Sequence, residues 1–319
     1  MFSLKRTLVF SFALLFVLST AQLMNAQVRP PLPRPSQKAT VAQTIGTTEV
    51  SITYSRPAVK GRAVYGDWVT EVKGEATLDN QNTRPANAVL VPWGHVWRAG
   101  ANEATLFTVS DDVLINGQPL PAGKYSLHTI PTKDEWTIIF NKDDGQWGSF
   151  SYDSAKDALR VKTKPQWTTD SQELLSYSFD PVSDTSATVV LRWEKAKVPF
   201  TVEVKDVVGS TMARLKAYVA GAKADDPAPA FNAANYAKAN KLTDDANHWF
   251  DQALKASDAQ IAAKPNFQNT ARKANILVAA GKMQEALATA EKALEIGKAE
   301  KVDTSALEKR ISDLKAGKN

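Results

Sequence analysis

The stretch SATVVLRWEKAKVPFTVEVKDVVGSTMARLKAYV, residues 186–219, carries two periodicities. Through Val204 its apolar residues alternate, as Ala187, Val189, Leu191 and Trp193, then as Val198, Phe200, Val202 and Val204. A repeat of two places each set on one face of a strand. Near residue 206 the alternation stops and a helical spacing begins. The chain therefore divides there into a β part and a helical part.

Working back toward the N-terminus, the same alternation recurs. EVSITYS sets Val50, Ile52 and Tyr54 on one face, and ATLFTVS sets Thr105, Phe107 and Val109. KYSLHTI alternates Tyr125, Leu127 and Thr129 against Ser126, His128 and Ile130, which makes His128 an exposed or cross-strand residue. EWTIIFN aligns Trp136, Ile138 and Phe140. Turn signals separate these runs: NGQPLPAG (116–123), PTKDE (131–135) and NKDDGQWG (141–148). Strands with turns and no helices between them predict an antiparallel β-sandwich or barrel over residues 41–205.

Toward the C-terminus, the break DDPAPA (225–230) leads into an alanine-rich region that repeats at a spacing of 40. Ala234-Asn235 recurs as Ala274-Asn275, Ala246 as Ala286, and Ala253-Leu254 as Ala293-Leu294. Small residues at fixed offsets let paired helices approach closely. ANILVAAGKMQEALATAEKALEIG (274–297) resembles a tetratricopeptide repeat in Leu277, Gly281, Ala286, Ala290 and Ala293, with Lys241 at the glycine position of the first copy. Residues 206–319 are thus expected to form helical hairpins, or else a plain bundle, so the whole is an α+β chain of two domains.

Lys5 and Arg6 followed by the apolar TLVFSFALLFVL (7–18) read as a secretory signal, with cleavage after Ala21 or Ala26. About a dozen apolar residues are too few to span a bilayer, which needs ~20. The proline-rich VRPPLPRPSQKA (28–39) reads as a linker over 27–40. An exported protein with periplasmic or secreted location follows, with no membrane contact after removal of the signal. The chain has no cysteine, so disulfides, thiol nucleophiles and zinc–thiolate sites are excluded. Its 39 basic residues outnumber 34 acidic ones; without Lys5 and Arg6 this becomes 37 against 34, a net charge of +3. So small and dispersed an excess gives no reason to expect nucleic acid.

Four blocks carry a family resemblance: YSRPAVKGRAVYG (54–66), VPWGHVWRAGANEATLFTVS (91–110), LPAGKYSLHTIPTKDEWTIIFNKD (120–143) and QWGSFSYDSAKDALRVK (146–162). In this order they resemble DUF2911, a domain of unknown function in exported bacterial proteins whose members often continue into a tetratricopeptide-like tail. The resemblance implies a β-rich exported domain and no particular activity.

Candidate chemistry concentrates in the first two blocks. Arg56, Lys60 and Arg62 flank Gly61 in a loop leaving EVSITYS, where arginine forks and a glycine amide suit a carboxylate or phosphate. WGHVWRAGANE adds Trp93, Trp97, Arg98 and Asn102. Were the two blocks neighbours, they would wall a pocket for an anionic or carbohydrate-like ligand. Alternatively these cations solvate a sheet edge or pair with Asp67 and Glu71, Arg98 bridges to Glu103, and the tryptophans are core. A metal-dependent hydrolase built on His95, Glu103 and His128 is a second reading, without HxH or HExxH spacing behind it. A purely structural protein is a third. No GxSxG elbow, P-loop or dinucleotide fingerprint is present, and no cofactor is expected. The helical tail would meet a protein or peptide partner.

Overall fold

The computed structural model describes residues 32–68, 77–78 and 87–317. The signal, the first five residues of the linker (27–31) and Glu71 lie outside the described residues.

Two antiparallel sheets stack face to face. The larger contains six strands in the order β1 (Gln37–Ile45), β2 (Thr48–Arg56), β5 (Thr105–Val109), β8 (Gly123–Ile130), β9 (Trp136–Asn141) and β10 (Asp157–Thr163). Facing it are β11 (Gln166–Val182), β12 (Ser186–Glu203), β6 (Val113–Ile115) and β7 (Gln118–Leu120). Two-residue strands β3 (Tyr65–Gly66) and β4 (Val91–Pro92) form a small parallel pair. The sheets do not close, so the sandwich alternative holds and the barrel does not.

The alternation in the sequence builds the core. Val50, Ile52, Phe107, Val109, Leu127, Ile138 and Phe140 from one sheet bury against Val189, Leu191, Val198, Phe200 and Val202 from the other. Rings interlock within this core, with Phe107–Phe140 centroids 5.0 Å apart and Phe140–Phe200 5.9 Å. On β12 the buried positions run 187, 189, 191, 193 and then 196, 198, 200, 202. The change from odd to even happens at Glu194, which has φ 52 and sits where the β11–β12 register shifts. An extra residue of this kind is a β-bulge. It lets one strand keep the same face inward along 18 residues.

Two expectations need correction. β1 begins at Gln37, inside the expected linker, because residues 37–45 pair in continuous register with β2. Of the edge strands, β1 alternates half-buried with exposed residues, while β10 and the first half of β11 carry little alternation. Of the two alternatives for His128, the exposed one fails and the cross-strand one holds: it is fully buried and sits opposite Ile139 of β9. Segments 91–104 and 146–153 cover the outer face of β8 and β9, where Val96, Ile130, Ile139 and Tyr152 pack together.

Beyond β12 lie six helices: α1 (Val207–Ala220), α2 (Ala228–Ala239), α3 (Thr243–Ala263), α4 (Phe267–Ala279), α5 (Met283–Ala299) and α6 (Ser305–Lys315). The 40-residue repeat corresponds to the hairpins α2–α3 and α4–α5. Ala253 and Ala293 are both fully buried, and so is Ala286, with Ala246 4% exposed. Lys241 (φ 61) and Gly281 (φ 79) occupy the same left-handed position between helices. α1 rests on the β domain: Val207 joins the sandwich core, and a Cβ on Gly46 would lie 2.5 Å from its Cγ1. Arg214 donates from Nη1 to the Thr47 carbonyl (2.9 Å) and from Nη2 to both Asp111 carboxylate oxygens (2.7 and 2.6 Å).

Candidate functional site

The loop leaving β2 is held on both sides. Toward β11, Val59 N donates to Glu173 O (2.9 Å), Leu175 N donates to Pro57 O (3.0 Å), and Lys60 N donates to Glu173 Oε1 (2.9 Å). Lys60 and Gly61 both have positive φ, 49° and 66°, so the chain reverses there. Arg62 closes the turn with Nε to Val59 O (3.1 Å) and Nη2 to Ala58 O (2.6 Å). Past the turn, the amides of Leu90, Val91 and Trp93 donate to Ala63, Val64 and Gly66. These bonds lay residues 63–66 alongside 90–93.

The second block is fixed as firmly. Trp97 exchanges two 2.8 Å backbone bonds with Thr129 of β8. Ala99 (φ 52) and Asn102 (φ 61) turn the chain back, and Arg98 Nη1 caps Asn102 O at 3.0 Å. The Ala99 carbonyl, fully buried, accepts from Tyr177 Oη and Thr105 Oγ1, each at 2.9 Å. Tyr177 belongs to one sheet and Thr105 to the other, so the loop bearing Arg98 is clasped between them.

Two cavities open where the blocks meet. The first, about 320 Å³, has Arg62, Arg98, Trp97 and Trp193 among its walls. The second, about 410 Å³, has Arg62, Tyr65, Trp93, Trp167 and Glu194. Arg62 is common to both. Six aromatic rings gather around them. Tyr65 stacks on Trp93 (5.5 Å, 11°) and meets Trp136 (5.5 Å), Trp167 (5.8 Å) and Trp193 (6.2 Å) edge-on. Trp97 stacks on Trp193 at 5.8 Å. Burial, reinforced by the Glu194 charge, pushes the Tyr65 hydroxyl well above its ordinary value, so it stays a protonated donor. Its oxygen, Trp136 Nε1 and Trp193 Nε1 are buried without a partner.

A family model described as a protein of unknown function, DUF2911, matches residues 36–202. The chain belongs to the DUF2911 family. No curated protein and no solved structure matches it. The DUF2911 match ends within β12, so it covers the sandwich and leaves the helices outside.

Of the residues singled out in the sequence, Arg62, Arg98, Trp93 and Trp97 reach these DUF2911 cavities. Three others have different work. Arg56 Nε donates to Leu175 O (2.8 Å), tying β2 to β11. Lys60 lies exposed at the turn. Asn102 Nδ2 holds Ser36 O (3.1 Å), just before β1. Tyr65, Trp167, Trp193 and Glu194 were missed; the signal for the last two was the phase change on β12.

The proposed metal ligands are not brought together. Glu103 pairs with Arg34 at 2.7 Å. Burial alone would raise its carboxyl, but the Arg34 hydrogen bond and charge hold it below the usual carboxylate value. His128 packs beside Tyr152, centroids 5.1 Å apart, inside β8. Among the described residues no group of three His, Asp or Glu could hold a metal ion. No helix among them is long and apolar enough to cross a membrane.

Proposed function

We propose that this chain is an exported binding protein whose β domain holds the anionic group of a ligand between Arg62 and Arg98. The observation that carries the reading is the single cavity of about 320 Å³ that these two arginines share with the indoles of Trp97 and Trp193. Low-dielectric aromatic walls strengthen a charge-assisted hydrogen bond to a carboxylate, phosphate or sulfate. Firm anchoring of both loops means little conformational entropy is lost on binding, which favours affinity. The basic start and short apolar run at residues 5–18 support export. In the tail, the repeated hairpins α2–α3 and α4–α5 support a protein- or peptide-contacting role.

Thermal-shift titration of the purified chain with sulfate, phosphate and glucuronate tests this directly. An anion at 100 times its Kd stabilises the folded state by about 2.7 kcal/mol, a rise of several degrees in Tm. Arg98→Gln and Arg62→Gln should each abolish that rise while still melting cooperatively. A rise that survives both substitutions refutes the site.

A further inference from the structure

The second cavity differs in chemistry from the first. Trp167 is 44% exposed, a large cost for an indole left in water, yet its ring is held by Nε1 donating to Lys133 O at 2.9 Å. Trp93, stacked on Tyr65, stands edge-on to it at 6.0 Å. Glu194 brings a carboxylate to the wall, with Oε2 accepting from Lys195 N (2.6 Å). Against this acceptor stand Arg62, whose Nη1 is not used in the bonds to Val59 and Ala58, and the buried, unpartnered Tyr65 Oη; behind them in the same ring cluster, Trp136 Nε1 and Trp193 Nε1 are also buried without a partner. Burying a donor without an acceptor costs about 1–3 kcal/mol, so three within one ring cluster are an expensive arrangement for a purely structural core.

Each ligand class satisfies this wall to a different degree. An inorganic anion would accept from the donors but leave the indole faces wet. A flat aromatic would cover the indoles and offer the donors nothing. A pyranose does both, because its C–H face stacks on indole while its hydroxyls accept from tyrosine and arginine and donate to a carboxylate. Both cavities fall within the roughly 300–1,000 Å³ usual for small-molecule sites. We infer that they are adjoining subsites for an acidic saccharide. The acid group of one sugar lies between Arg62 and Arg98, and the next ring rests against Trp93 and Trp167 with its hydroxyls on Tyr65 and Glu194. This rests on the Arg62–Arg98 reading above and extends it to a substrate class.

Calorimetry of the purified chain with three probes tests the inference: glucuronate, glucuronyl-glucose and cellobiose. Glucuronyl-glucose should bind at least tenfold more tightly than either of the others. Trp167→Ala should weaken it about tenfold, the loss of one aromatic contact of about 1.4 kcal/mol, and leave glucuronate unchanged. Tyr65→Phe should also weaken it severalfold without lowering Tm, because the hydroxyl has no partner in the protein; a structural tyrosine would do the reverse. Glucuronate and glucuronyl-glucose binding equally, both untouched by Trp167→Ala and Tyr65→Phe, would overturn the second subsite while leaving the arginine site standing. Failure of both acidic probes to bind would sink the two readings together.

Discussion

Substituting Tyr177 and Thr105 singly and together measures how the Arg98 loop is held. Each hydroxyl donates to the same fully buried acceptor, the Ala99 carbonyl, at 2.9 Å. Tyr177→Phe removes one hydrogen bond but leaves the carbonyl satisfied by Thr105, so the net cost is about 1 kcal/mol. Thr105→Val leaves it satisfied by Tyr177 at a similar cost of about 1 kcal/mol. The double substitution takes away both donors and strands a buried carbonyl, adding about 1–2 kcal/mol beyond the sum of the single losses. Urea unfolding at 25 °C followed by tryptophan fluorescence gives all four free energies. Each kilocalorie should also appear as roughly 2–4 °C in Tm for a chain of this size. Because Ala99 follows Arg98, the double variant should lose anion affinity as well. Additivity within about 0.3 kcal/mol would refute the shared-acceptor reasoning.

Other outcomes follow from the joint and the tail. Arg214→Ala should destabilise the chain by about 1 kcal/mol at neutral pH, since it breaks the pair with Asp111 and the bond to Thr47 O, with the partly exposed pair contributing the smaller share. Burial alone would raise the Asp111 carboxyl, but the hydrogen bonds and charge of Arg214, with the Ser110 hydroxyl, hold it below its ordinary value of 3.8. A depressed carboxyl contributes stability that is complete above the unfolded value and is lost as pH falls through the folded one. The gap between parent and Arg214→Ala melting temperatures should therefore be constant from pH 7 to about 5 and shrink in more acidic buffer; a gap that widens there contradicts the assignment. In the tail, Lys241→Gly should stabilise by about 0.5 kcal/mol and Gly281→Lys should cost about 1 kcal/mol, as chemical denaturation would show, because both positions are left-handed. Opposite signs at either position would break the equivalence of the two hairpins.

Much of the fold is written in the sequence because the two-residue repeat survives wherever one strand face is buried and the other is not. EVSITYS and ATLFTVS are of this kind, and β2 and β5 follow them. Where loops cover the outer face, as over β8 and β9, the repeat no longer separates buried from exposed, and the exposed alternative for His128 fails. Edge strands fail in the opposite way: the first half of β11 is largely exposed and carries little pattern. Both loops of the site are visible as charged, glycine-bearing segments, but their adjacency is not. It comes from the two-residue pairing of β3 with β4 and from contacts to Glu173 and Leu175, more than 100 positions away. The Glu194 bulge is legible only as a change of phase, and only the structure shows that it delivers a carboxylate to a cavity walled by Tyr65 and Trp167.

The most direct test is a crystal structure of the purified chain grown with glucuronyl-glucose. The account predicts density with the carboxylate within hydrogen-bond distance of both Arg62 and Arg98 and the glucose ring in van der Waals contact with Trp167. Ligand density elsewhere on the sandwich, or among the helices with both cavities unfilled at saturating ligand, would contradict it.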